Sequence, residues 1–313
     1  MSIQNNSLTE NRLAFVNPQF YPPVLFELGN RHLPVLPHGA QELLLKLNDE
    51  QVSFEQVAQF LEHFPTIVAR LISLANSAWS APQAEITSLS MACSRLGLNV
   101  VRSTSIALAV AAPFNLLHCP QFDARKYWTS ALCNAEISYK LAKLSTGYEN
   151  PLTARACGLL HNLGLLWLAD QLPVLTQQSI QRCKADKHIH LDQSLYEIIG
   201  AGYTQAGGYL ARLWELPEVF EQTLAFHREP ETQPQLFPET SLVAASTRLL
   251  KMIEPEIYAN EMEIPAESTE QLEERQQIAI SLQIDPSALQ TLITQIPQDL
   301  ERCSALANTL FGQ

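Results

Sequence analysis

Residues 156–169, ACGLLHNLGLLWLA, are apolar around nearly the whole circumference of a helix, a pattern belonging to an element surrounded by protein on every side. A chain holding such a segment has to build further layers around it. With 313 residues and 46% hydrophobic content it has the material. It also passes the size, roughly 250 to 300 residues, at which a single core stops growing. One large module with an appendage, or two modules, is therefore expected.

The rest of the chain supplies helix after helix. Residues 40–48 and 54–62 carry apolar side chains at three- and four-residue spacing, with Ser53 placed to cap the second. Pro65 fits the first turn of the next helix, TIVARLISLANSAW, where a missing N–H is no loss. In ITSLSMACSRLG, Ser88 can cap and Gly97 can take the left-handed C-terminal position. Asn99 can then open VVRSTSIALAVAA, which Pro113 stops. Residues 123–145 read as one long helix, 151–169 as the buried leucine helix and 171–185 as another. No stretch alternates with period two between hairpin turns, so the fold class is all-α. Nineteen prolines against eleven glycines fit helices punctuated by prolines.

The C-terminal part differs in kind. Residues 228–238, REPETQPQLFP, form a charged, proline-rich connection, and a helix resumes over 239–253. Residues 253–275 are acidic and interrupted by proline, the composition of a mobile loop or lid. Helical patterns over 285–294 and 297–310 complete the chain. The organisation expected is an extension over 1–32, a main domain over 33–229 and a helical C-terminal subdomain over 230–313.

Twenty Lys and Arg against thirty-two Asp and Glu leave a net charge of −12 with no basic cluster. Such a field repels a phosphate backbone, so nucleic acid is not an expected partner. No run approaches about 18 apolar residues, and the first residues lack a basic n-region followed by an apolar stretch. The expectation is a cytoplasmic chain with no membrane partner. The six cysteines, at 93, 119, 133, 157, 183 and 303, fall singly in apolar stretches and read as core residues of a reducing compartment.

Two polar residues, His161 and Asn162, interrupt the leucine run. An unpaired buried polar group costs about 1 to 3 kcal/mol, so each needs a partner: a metal, a backbone group or a side chain. His188 and His190 form an HxH in the polar turn KADKHIHLD, where two ligands rarely make a selective site. Trp79, Trp128, Trp167 and Trp214 are most simply packing residues. There is no GxxxxGK[ST], no GxGxxG after a strand, no GxSxG and no HExxH.

Five segments in order, LPVLPHGAQELLLKL, FPTIVARLISLANSAWS, ITSLSMACSRLG, ACGLLHNLGLLWLADQLP and LARLWELPEVFEQTLAFHREP, resemble the HDOD family, the HD-related output domain, across about residues 33–229. Its signature is carried here by Asn76, Ser77, Gly97, His161, Gly164, Trp214 and Pro217. The resemblance implies a multi-helix bundle of the HD type, used in bacterial signalling and generally lacking hydrolase activity. Catalytic HD relatives hold divalent ions with a His, a His-Asp doublet and a distant Asp. His161 matches the doublet's histidine, but Asn162 stands where its carboxylate belongs. Thr129 and Ser130 lie near the place of the first His, Tyr203 and Thr204 where an acid and a His commonly occur, and His227 opens the terminal motif with Arg228 after it. Glu197 matches an acidic position of the pattern. Asn76 and Ser77 read as turn-forming hydrogen-bonders more than ligand contacts.

The resemblance thus implies a degenerate pocket around His161, Asn162, His227 and Glu197, with no metal, no cofactor and no catalysis expected. The function expected is a regulatory module binding a signalling protein or a small effector. The alternative is a metal-dependent phosphohydrolase with replaced ligands. One departure concerns folding: an Asp that usually caps the helix opened by Pro65 is Phe64 here.

Overall fold

The computed structural model describes residues 20–31, 33–49, 51–81, 84–186, 188–233, 236–253 and 269–312. Every regular element among them is a helix. The acidic segment read as a lid lies mostly outside the described residues.

Helices start where the sequence supplies caps. Ser53 accepts from Gln56 N in a reciprocal capping box at α3 (Phe54–Leu61), which follows α1 (Pro23–Arg31) and α2 (Ala40–Leu47). Pro65 opens α4 (Pro65–Ala75), and Ser88 accepts from Met91 N at α5 (Leu89–Leu96). Phe64 makes no capping bond; its ring instead packs on Phe60, 5.6 Å between centroids, and against Gly39. The lost cap, worth about 1 kcal/mol, is thus set against aromatic burial. Gly97 takes φ 81°, as a glycine there can, but with ψ 151°. It serves as the N-cap of α6 (Leu98–Ala111), so α6 begins one residue before Asn99 and carries no side-chain cap.

The spine is α7 (Ala124–Leu144), capped by Asp123 at Lys126 N. One side of it, with Trp128, Ala131, Leu132 and Ala135, belongs to the main core; the other, with Cys133, Ile137, Leu141 and Ala142, belongs to a second core. The main core is completed by α8 (Pro151–Leu160), α9 (Leu163–Gln171), α10 (Pro173–Ala185), α11 (Leu191–Ile199), α12 (Tyr203–Leu213) and α13 (Glu218–Phe226). Tyr21, Leu25 and Leu28 of the N-terminal segment pack into it, and the Tyr21 hydroxyl donates to Glu221 Oε1 at 2.9 Å. The second core is built with α14 (Pro238–Ile253), α15 (Thr269–Ser281) and α16 (Pro286–Phe311).

Two helix boundaries differ from the sequence expectation. The patterns at 285–294 and 297–310 are one helix with Pro297 inside it. An interior proline costs about 3 kcal/mol. Leu289, Leu292, Ile293 and Ile296 before or at the break, and Leu306, Ala307 and Leu310 after it, are all buried on the same spine, which overrides that cost. Conversely, 151–169 is not one helix but two, broken at His161 and Asn162. All five cysteines at 93, 119, 133, 157 and 183 are buried and reduced, with Cys303 half-buried.

Candidate functional site

The break in the leucine segment comes from two glycines that dock it on different neighbours. A Cβ on Gly158 would sit 2.7 Å from the Asn134 carbonyl oxygen, so α8 lies hard against α7. A Cβ on Gly164 would sit 2.0 Å from Tyr203 O and 2.3 Å from Gly207 N, so α9 lies hard against α12. One straight helix cannot keep both appointments. The chain turns between them, with Asn162 at φ −101°, ψ 19°.

That turn aims His161 inward. It is fully buried, and its Nδ1–H donates to the Gly158 carbonyl at 2.7 Å. His227 terminates α13, is 1% exposed, and shares its Nδ1–H between the carbonyls of Thr223 at 3.1 Å and Leu224 at 3.2 Å. Carbonyls only accept, so Nδ1 carries a proton on both rings. The rings meet edge to face, 5.2 Å between centroids at 87°. Burial first, then His161 and Arg228, hold the His227 pKa well below its ordinary 6.5, so the ring is neutral at pH 7.

The surroundings of this pair are not those of a cation site. The Arg228 guanidinium donates to the Tyr203 hydroxyl at 3.1 Å, and the Tyr203 ring lies 6.4 Å from that of His227. A fixed positive charge therefore stands where a metal site needs negative ones. Asn162 Oδ1 is buried with no hydrogen-bond partner among the described residues. Glu197 is not in the pocket: it is on the surface, accepting from Gln193 and paired with Arg182. It sits in α11 on the solvent side, where pairing costs no desolvation. The acid beside the start of α12 is Asp192, which accepts from Thr204 N at 3.0 Å and from Thr204 Oγ1. Its signal in the sequence was only an Asp twelve residues before a buried Thr.

Among the described residues no group of three or more His, Cys, Asp or Glu is placed to share an ion. Two imidazoles without a carboxylate do not fit a divalent metal. Thr129 and Ser130 are buried on α7, and His190 sits at the N-cap of α11 with His188 in the exposed turn before it.

The remaining signature residues hold turns and junctions. Asn76 donates to the carbonyls of Ile72 and Ile86 and accepts from Ile86 N, and Ser77 Oγ donates to Leu74 O. Trp214 Nε1 donates to Pro34 O at 2.7 Å, tying the segment before α2 to the end of α12, and Pro217 precedes α13. Trp128 and Trp167 are core residues, at 2% and 0% exposed.

The depressed His227 pKa has a consequence for stability. Its folded-state pKa is below the unfolded one, so the stabilisation is fully present above about pH 6.5 and declines as the pH falls below it, by up to about 1.4 kcal/mol per pH unit. Urea midpoints measured from pH 7.5 to pH 5 should fall in the wild type and fall less steeply in His227→Gln. Parallel profiles would mean the ring titrates normally.

The HDOD domain family model matches residues 33–230. A protein of uncharacterised function from Treponema pallidum (strain Nichols) is 23% identical over 228 residues, 72% of this chain. The match spans 43% of that relative's length. Among solved structures, an HDOD domain protein of unknown function from Geobacter sulfurreducens superposes with TM-score 0.71 at 22% identity, covering 97% of this chain and 99% of that one. A candidate signal-transduction protein from Marinobacter aquaeolei VT8 gives 0.73 at 22% identity, over 90% of this chain and 60% of its own. A candidate phosphohydrolase from Shewanella amazonensis SB2B gives 0.69 at 25% identity, over 93% and 99%.

Proposed function

The chain belongs to the HDOD domain family, and on that premise we propose that it is a non-catalytic regulatory module of signal transduction. The observation that supports this reading is the central pair: two buried imidazoles donating to backbone carbonyls, with an arginine nearby and, among the described residues, no group of three His, Cys, Asp or Glu placed to share an ion. Each bond closes the last turn of its own helix, and the edge-to-face contact of the two rings sets the ends of α8 and α13 against each other. In the HD hydrolases the same place has to supply anionic oxygens that offset a divalent ion's loss of water. Here Asn162 offers at most one neutral amide oxygen.

The module works by binding a signalling protein or a small effector, and it acts by favouring one arrangement of its helices over another. The C-terminal helices, which share the spine with the main core, are the elements a binding event would shift. The cytoplasm is the compartment proposed; no helix among the described residues is long and apolar enough to cross a membrane.

The test is metal analysis and phosphodiesterase assay on protein purified without affinity-tag histidines. The expected result is substoichiometric Mn, Fe and Zn and no turnover of cyclic or linear phosphodiesters. A stoichiometric ion with turnover that His161→Ala abolishes would overturn the reading in favour of a hydrolase with replaced ligands.

A further inference from the structure

We propose that a cleft between α6, α8 and α16 binds a small phosphate monoester carried on a flat apolar body, of the nucleoside monophosphate class. The cleft encloses about 390 Å³, toward the lower end of ligand-sized pockets. None of its lining residues belongs to the imidazole pair, and the proposal stands whichever way the hydrolase assay turns out.

The polar part of the lining combines an uncapped helix start with side-chain donors that have no acceptor among the described residues. Gly97, at φ 81° and ψ 151°, opens the 14-residue α6 without a side-chain cap, and Gly97 to Val100 line the cleft. The first N–H groups of that helix thus carry the positive end of its dipole into the cavity. Arg155, only 5% exposed, lines the same cleft. Its Nη1 is committed to Glu136 at 2.7 Å, and its guanidinium carbon lies 4.1 Å from the centre of the Tyr139 ring. Nε and Nη2 have no hydrogen-bond partner among the described residues. That is the edge whose two parallel N–H groups pair with an oxyanion. Ser103, one turn into α6 and 5% exposed, also lines the cleft with an Oγ that has no partner among the described residues.

An unpaired buried donor is costly, and one belonging to a charged group more so. Two kinds of such donor, from Arg155 and Ser103, beside an uncapped helix start on the lining of one cavity are what an anion site leaves when its ligand is taken away. The count favours phosphate. Two guanidinium donors, a hydroxyl and the helix N–H groups exceed what a carboxylate accepts comfortably, and they suit three terminal oxygens.

Charge agrees. Glu136 is neutralised by Arg155, and Asp299 by Lys140 Nζ at 2.5 Å, while Arg302 adds a further cation. The two cations of the lining balance its two carboxylates, and Lys140, paired with Asp299 from beside the cleft, tips that balance to positive in a chain of net charge −12. The apolar part of the lining includes Leu96, Leu132 and Leu306, and the Trp79 ring is fixed by its Nε1–H bond to Arg302 O at 3.2 Å. A pinned indole beside a phosphate site gives a base a face to stack on.

Calorimetry on the full chain with AMP and GMP, and separately with inorganic phosphate and with adenosine, tests this. At least one mononucleotide should bind at micromolar to submillimolar concentration, with adenosine silent and phosphate weaker by about tenfold or more. Arg155→Lys keeps the charge facing Glu136 but loses the bidentate edge, and should weaken binding by about tenfold. Ser103→Ala should weaken it several-fold while leaving the thermal midpoint of the ligand-free protein unchanged or higher, because the deleted hydroxyl has no partner there. A merely structural serine would not separate the two readouts, and this variant decides the matter if Arg155→Lys does not fold. The proposal is overturned if no mononucleotide binds up to about 1 mM. It is equally overturned if phosphate binds as well as the nucleotides, an adventitious ion only, or if both variants bind like wild type.

Discussion

Gly164→Ala is expected to abolish the native fold or to lower its stability by more than the about 1 to 3 kcal/mol typical of overpacking. The added Cβ would lie 2.0 Å from a backbone carbonyl oxygen and 2.3 Å from a backbone nitrogen, both on α12. A flexible side chain can swing out of the way; these atoms move only if the whole helix moves. Moving α12 also carries Tyr203 away from His227 and breaks the grip of Asp192 on Thr204, so core and site fail together. Gly147→Ala is the comparison. It has no neighbour within 4 Å but takes φ 82°, so only backbone strain opposes it, at about 1 kcal/mol. Urea denaturation of the two variants measures the difference. If Gly164→Ala unfolds within 1 kcal/mol of wild type, α9 and α12 are not in the close approach described.

The same glycine shows what the sequence can and cannot reveal. That residues 156–169 are buried is plain from their composition, and so are most helix starts, because Ser53, Pro65, Ser88 and Pro151 act through neighbours one to three residues away. The break at His161 is not legible, since it depends on Gly158 and Gly164 facing different helices, one in α7 and one in α12. Continuity through Pro297 is hidden for a related reason: the proline's local preference for ending a helix is overridden by a face that pays off only against the spine.

The site divides in the same way. His161 and His227 stand 66 residues apart, and resemblance to the family's ligand set was enough to pair them. Glu197 was drawn in by its position in the pattern, yet the turn of α11 places it against Arg182 at the surface. Asp192 and the bare edge of Arg155 are not legible in the sequence because neither has a motif. One is a cap for a helix twelve residues on; the other is recognisable only once Glu136 and Tyr139 are seen to occupy the rest of its guanidinium.

Removal of residues 239–313 is expected to yield a chain that aggregates instead of a smaller folded domain. The α14 helix alone contributes Leu242, Val243, Leu249 and Leu250, each no more than 1% exposed. At about 1.5 to 3 kcal/mol for each fully buried aliphatic side chain, those four amount to about 6 to 12 kcal/mol. A whole domain is stable by only about 5 to 15 kcal/mol. The loss is wider than α14. Ile137 and Leu141 of the spine are fully buried within the second core, and without α14 to α16 they become a continuous apolar stripe on the outside of α7. Phe311 also leaves its stacked contact with Trp128, 4.4 Å between ring centroids, which opens the main core from the other end of the helix. Size-exclusion chromatography and circular dichroism on residues 1–238 test this directly. A soluble monomer with helical content and a cooperative melt would show that the main core closes without the C-terminal helices, and that the spine tolerates an exposed apolar face.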